Sequence, residues 1–376
     1  MALPFLVLYL TRHLQVPATL AGLALSIYGI GGIVTAPFAG RLSDRIGPFT
    51  VMRASLALTG IILFIIPLAH NLAVVFALIF LWAIVAEGAR PAIMSALTSA
   101  TSPDQRKAAI ALNRLAVNLG MSVGPAVGGF LATVSFPMLF VVDGATSLAA
   151  VVLLSALLRG HTPHAHSRLV PAERPAASAK IAKSVWHDRS AVEFLLAIFL
   201  VNLVFMQNQG ALPLYIVRDL HHPESFYGMM FVVNTLLIVA IEVPLNLAMT
   251  HWPHRPALML GILLTSLGFG ALAFGSGTMF VLATVVVWTF GEMILFPVAT
   301  AYVADIARPG KTGEYMGAFS SVLSSALVVG PWLGVAALDR FGPRITWSGV
   351  LLCGLIAVGA VALRRERAPE LIGEPT

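Results

Sequence analysis

Charge is what this chain has least of. Asp, Glu, Lys and Arg make up 11% of its 376 residues, against about a quarter in a soluble domain. Hydrophobic residues make up 58% and mean hydropathy is +0.89. A chain so composed has a lipid bilayer as its main solvent. Cysteine is nearly absent as well. The one thiol, Cys353, sits in an apolar run, which excludes an internal disulfide and any cysteine-based metal cluster. No Gly-rich phosphate loop ending in Lys-Ser/Thr is present, so ATP is not the expected energy source. Neither is a His-Glu-x-x-His helix or a Gly-x-Ser-x-Gly elbow. Nothing here points to an enzyme or calls for a cofactor.

The formal charge of +6 invites a nucleic-acid reading, but the placement of the cations opposes it. Of 23 Lys and Arg, four (Arg12, Arg218, Arg340, Arg344) fall in the odd-numbered connections between apolar runs and two (Arg90, Arg114) within runs. The rest lie on the other side. Such asymmetry orients the segment near Gly40 and the C-terminus toward the cytoplasm of an inner-membrane protein. The histidines His161, His164 and His166 read as part of a solvated connection rather than a metal tract.

Apolar runs predict the helices. Met1 to Thr11 supplies only about half of the roughly 20 residues that span a bilayer and has no signal-peptide features. It reads as the outer half of a first helix that is N-terminally shortened, or whose start lies upstream. Further helices are expected over 18–40, 51–69, 72–98, 108–134 and 137–158. After the polar stretch come 191–217, 225–247, 257–274, 278–304, 315–338 and 345–363. The chain thus divides into a six-helix half (1–158), a cytoplasmic connection (159–190), a second half (191–363) and a polar tail (364–376).

The halves repeat. An offset of 206 places Tyr9 on Tyr215, Trp82 on Trp288 and Pro91 on Pro297. The same register puts Gly124, Pro125 and Gly128 on Gly330, Pro331 and Gly334. One register across three helices indicates an internal duplication.

Two motifs stand out. Gly40-Arg-Leu-Ser-Asp44-Arg45-Ile-Gly47 lies between two apolar runs and reads as a tight polar reversal. Gly40 permits close helix approach, Gly47 a positive φ, and the charges hold the segment in water. It resembles the connection between helices 2 and 3 of the major facilitator superfamily of secondary transporters, Gly-x-Leu-(Ala/Ser)-Asp-Arg-x-Gly-(Arg/Lys)-(Arg/Lys). The match departs at Pro48 and Phe49, where the family has basic residues, and in the second half His251 takes the place of Asp44. The second motif, Gly120-Met-Ser-Val-Gly124-Pro125-Ala-Val-Gly128-Gly129, resembles the helix-5 motif of that superfamily's drug–proton antiporters. Ala111 stands where the longer form has a glycine. Glycines four apart also serve ordinary helix packing.

The resemblance implies an all-α fold of twelve helices in two six-helix halves that alternate access to a central cavity lined by helices 1, 4, 7 and 10. It also implies that the Gly40–Gly47 segment gates the cytoplasmic face by meeting helix 11 near Glu314 to Gly317. Candidate site residues are then intramembrane polar groups, since a charge in hydrocarbon costs roughly 2.5–3.5 kcal/mol. Glu87 and Arg90, three apart, share a face of helix 4. Glu87 lies roughly 22 Å from the outer end and Arg114 roughly 9 Å from the inner end of helix 5, similar depths in a core of about 30 Å. The pair could couple protons or simply hold two helices together. Glu292, near the middle of helix 10 with no cation beside it in sequence, is either protonated or faces water. It is the preferred proton site. On helix 7, Asn202, Gln207, Asn208 and Gln209 cannot all face lipid. Asn234, Asn118 and Tyr28 are weaker candidates.

The expected activity is proton-coupled export of small organic compounds by a monomer in the bilayer, with protons as coupling ion and no nucleic-acid partner. A uniporter or importer of a polar metabolite, and a non-transporting sensor or scaffold, remain open alternatives.

Overall fold

The computed structural model of the chain describes residues 1–101, 103–157, 184–308 and 311–363. The expected histidine-containing connection and polar tail lie outside them. Among the described residues every regular element is a helix. A first segment, α1, runs through a 3₁₀ turn Leu3–Phe5, an α-turn Leu6–Leu8 and a π-turn Tyr9–His13. The rest of the first half is α2 Ala18–Ile46, α3 Pro48–Ile65, α4 Leu72–Ala100, α5 Pro103–Val134 and α6 Phe136–Leu157. The second half comprises α7 Arg189–Phe205 with its continuation to Asp219, α8 Glu224–Ala248, α9 His254–Gly270 and α10 Thr278–Asp305. The final helical stretch, Thr312–Ala362, is broken at Gly342 (φ 75°, ψ 174°) into α11 (312–341) and α12 (343–362). The order and number match the twelve expected segments.

Local chemistry sets the helix ends. Asn71 caps α4, its side-chain oxygen accepting from the N–H groups of Ala73 and Val74 at 2.9 and 3.4 Å, which satisfies two donors a helix start leaves free. Pro48 and Pro103 stand at the first positions of α3 and α5, where a missing N–H costs nothing.

Two expectations need correction. The segment from Gly40 is not a loop: α2 remains helical through Ile46, and the reversal is made at Gly47 alone (φ 87°, ψ 144°). The N–H of Gly47 still bonds back to Ser43, so hydrogen bonding carries the helix past the apolar run and into water. Helix 7 is not continuous. After Phe205 it passes through a 3₁₀ turn Met206–Asn208 and a bend at Gly210 (φ −93°, ψ −92°). It then resumes as Ala211–Leu214 and a π-turn Tyr215–Asp219.

The duplication is visible in three dimensions. Both Tyr9 and Tyr215 open a π-turn, and each turn ends near a non-glycine residue of positive φ, Gln15 at 55° and His221 at 58°. Within halves, α2 packs on α4 as α8 packs on α10, and α3 on α6 as α9 on α12. Across halves, α5 packs on α8 and α2 on α11.

Those cross-half contacts lie at one end. Glycines let the backbones touch: a Cβ on Gly129 of α5 would sit 2.8 Å from the carbonyl oxygen of Glu224, and one on Gly22 of α2 would sit 3.0 Å from Val335 Cβ. The Ser26 hydroxyl donates to the Val328 carbonyl. All of this is far from Gly47, on what is here called the far face. Toward the other face, the turn face, three of these helices (α2, α5 and α8) present exposed residues, including Phe38, Leu42, Val117, Leu119, Val239 and Val243. Among the described residues, the cross-half contacts close the bundle at the far face.

Candidate functional site

Two glutamates mark the middle of the bundle, one in each half. In the first, Glu87 of α4 pairs with Arg90 one turn on (Oε2 to Nε 3.1 Å), as three-residue spacing on a helix allows. Tyr28 of α2 donates its hydroxyl to Glu87 Oε1 at 3.4 Å and packs edge-on against Trp82. Gly32 of α2 makes room for the glutamate, since a Cβ there would lie 3.1 Å from Glu87 Cγ. The Arg90 side chain is 79% exposed and that of Glu87 21%, so the pair borders open space rather than a sealed core. The side chain of Arg114, the other cation expected near Glu87, lies outside the described residues, as does that of Asn118.

In the second half, Asn234 of α8 donates to Glu292 Oε2 at 2.9 Å and to the Thr289 hydroxyl oxygen at 3.0 Å. Glu292 and Thr289 are three apart on α10, so one amide reaches both. No ion pair holds Glu292 among the described residues. Glu242 lies two turns beyond Asn234 on α8. At the sequence level it reads only as a charge near a helix end, and its place on the same helix as Asn234 was the available signal. Asn234 and Tyr28 are related by the 206-residue offset, so the halves build one arrangement twice: a polar residue on α2 or α8 bonded to a glutamate on α4 or α10.

The amides of α7 serve mainly its break. Asn202 is buried and donates to Ile198 O one turn back. Gln207 donates to Leu203 O and, across to α11, to Gly330 O at 2.9 Å. Its side chain lies over Gly334, which has no side chain to obstruct it. Asn208 is buried, and its backbone carbonyl accepts from the Tyr227 hydroxyl at 2.6 Å. The side-chain oxygens of Gln207, Asn208 and Gln209 are buried with no hydrogen-bond partner among the described residues, leaving three acceptors beside the bend at Gly210. Unmet acceptors at a helix break near mid-membrane are groups that a donor on a ligand, or water, would satisfy.

The glycine motif of α5 serves two partners. Gly124 and Gly128 seat α1, with Met1 and Phe5 against them, while Pro125 and Gly129 face Gly228 and Glu224 of α8. Gly120 lies toward the turn face, where an added Cβ would meet nothing within 4 Å. At the turn face, Arg41 and Arg45 of the α2 motif are exposed; the side chain of Asp44 and the surroundings of Gly40 lie outside the described residues. Glu314 of α11 is engaged elsewhere. It accepts from the Ser184 hydroxyl at 2.7 Å and the Val185 N–H at 2.8 Å, and pairs with Lys311 at 3.0 Å.

Sequence reasoning missed the charges of the far face. Arg12 and Arg218, 206 residues apart, each reach an acid: Arg12 Nη1 to Glu224 Oε1 at 2.7 Å, and Arg218 to Asp219 at 2.9 Å and to Asp339 at 3.2 Å. They line a cavity of about 710 Å³ between the halves, with Gln15, Glu224 and Asp339. The signal was the offset itself, which pairs the two arginines.

Known proteins share this architecture. The family model described as Major Facilitator Superfamily matches residues 1–215 and 194–375. The MFS-type transporter YqjV of Bacillus subtilis (strain 168) is 27% identical over 365 residues, covering 94% of this chain and 88% of its own. Multidrug resistance protein 1 of the same organism is 23% identical over 331 residues, covering 87% and 83%. Among solved structures, a POT family transporter in complex with 5-aminolevulinic acid superposes with a TM-score of 0.75 at 15% identity, covering 96% of this chain and 91% of that one. The chain belongs to the Major Facilitator Superfamily: it is a multi-pass membrane transporter and not an enzyme.

Proposed function

We propose that this transporter exports small organic compounds in exchange for protons, with Glu292 as the proton-carrying group. The observation that carries the reading is the environment of Glu292: a mid-helix carboxyl bonded to the neutral amide of Asn234 and to no cation among the described residues. A carboxyl so placed exchanges its proton whenever water reaches it and is costly to leave charged when water is shut out. Alternating exposure of the cavity therefore alternates its protonation. Glu87, which Arg90 neutralises, suits substrate contact better than proton carriage. The unpaired acceptors of Gln207, Asn208 and Gln209 favour a substrate with hydrogen-bond donors.

The direction is supported by the glycine motif of α5 and by the similarity to Multidrug resistance protein 1. The turn face is the cytoplasmic one in the inner membrane, because most Lys and Arg of the connections lie on that side. The six-helix halves 1–158 and 191–363 are the moving units, and one chain contains the whole pathway, so a monomer suffices.

The test is proton flux in liposomes on addition of candidate compounds, for the unaltered protein, Glu292→Gln and Glu87→Gln. Compound-dependent flux lost in Glu292→Gln and retained in part in Glu87→Gln is the expected result. Compound movement that ignores the pH gradient would establish a facilitator instead.

A further inference from the structure

The pattern Asp-Arg-x-Gly-Pro occurs twice, as Asp44-Arg45-Ile46-Gly47-Pro48 and as Asp339-Arg340-Phe341-Gly342-Pro343. The backbone repeats with it. Gly47 and Gly342 both take a positive φ, 87° and 75°, and in both copies proline opens the helix that follows. The first copy joins α2 to α3 at the turn face and the second joins α11 to α12 at the far face. Since α2 and α11 pack on each other across the halves, the two copies stand at opposite ends of one cross-half helix pair.

At the far end the copy is engaged. The Thr19 hydroxyl, in the first turn of α2, donates to Asp339 Oδ2 at 3.5 Å, and Arg218 donates to Asp339 Oδ1 at 3.2 Å. Beside it, Arg12 of the first half bridges to Glu224 of the second at 2.7 Å. The described residues of the turn-face end are not so engaged. Arg41 and Arg45 are exposed, and a Cβ on Gly313 or Gly317 of α11 would meet nothing within 4 Å.

We propose that Asp339, together with the Arg12–Glu224 pair, is a lock that holds the far face shut. It is the far-face counterpart of the Asp44 motif, and the two copies engage in alternation. The chemistry suits a reversible device. Asp339 is 43% exposed and Arg12 50%, so water and salt weaken these bonds, and the lock biases two states rather than fixing one. It holds whatever the cargo or coupling ion.

The test uses the full chain in membranes with Cys353→Ser as background. Val335→Cys, fully buried against Gly22, reports far-face opening by its rate of reaction with N-ethylmaleimide, and Gly317→Cys reports the turn face. Asp339→Asn and Glu224→Gln should each raise the Val335→Cys rate about fivefold, the size of a modest population shift, and lower the Gly317→Cys rate. Thr19→Val, which removes only the cross-half arm of Asp339, should act in the same direction by a smaller factor. Asp44→Asn should act in the opposite direction. Local loosening or misfolding would raise both rates together, and that result, or no change at either site, overturns the proposal.

Discussion

Asn234 stands on α8 where Tyr28 stands on α2, and each bonds a glutamate of the neighbouring cavity helix, at 2.9 Å to Glu292 and 3.4 Å to Glu87. The duplication has thus kept the contact while changing its chemistry. One copy is an amide on a carboxyl with no ion pair among the described residues, the other a phenol on a carboxylate already held by Arg90.

The difference in bond length orders two substitutions. Asn234→Ala strips Glu292 of a well-formed hydrogen bond, worth about 1–3 kcal/mol at a buried polar group, so compound-driven proton flux should slow by about tenfold. Tyr28→Phe removes a long bond and keeps the ring against Trp82, so the rate should change by less than about threefold. Initial flux rates in liposomes check both. Equal losses would mean the two glutamates share the work.

Gln207 ties the break in α7 to α11. Gln207→Leu should leave the Gly330 carbonyl without its donor and press a branched side chain on Gly334, costing about 1–3 kcal/mol. A lower midpoint of thermal unfolding in detergent would register it. An unchanged midpoint would release the amide from this structural duty.

Gly129 touches Glu224 and Gly228 of the opposite half. Gly129→Leu should therefore prevent the far face from closing while leaving each half intact. The expected outcome is loss of transport with less than about 2 kcal/mol change in stability, and a far-face thiol that reacts continuously. Normal transport would show that the α5–α8 seam is not needed for closure.

Gly47 and Gly342 isolate a purely conformational cost. Both have positive φ, and an added Cβ would meet nothing within 4 Å at either. Gly47→Ala or Gly342→Ala should thus cost about 1–2 kcal/mol by backbone strain alone. Thermal unfolding of the two variants should give similar shifts; a shift at only one would mean that neighbouring helices relieve the other.

The sequence by itself determined the bilayer as solvent, the order and approximate limits of twelve helices, and the two-fold repeat. These follow from the length of apolar runs and the scarcity of charge, which are local properties that a bilayer reads directly. The 206-residue register even held the far-face arginines and the Tyr28–Asn234 equivalence. Tertiary structure alone decided the rest. That Glu292 bonds Asn234, 58 residues away, that Gln207 spans to Gly330, and that Arg12 meets Glu224 across the halves all depend on how packed helices are rotated and tilted. Hydrophobic periodicity does not encode those angles. Which face is shut is further removed still, because it is set by weak contacts between two bodies that the chain can make at either end.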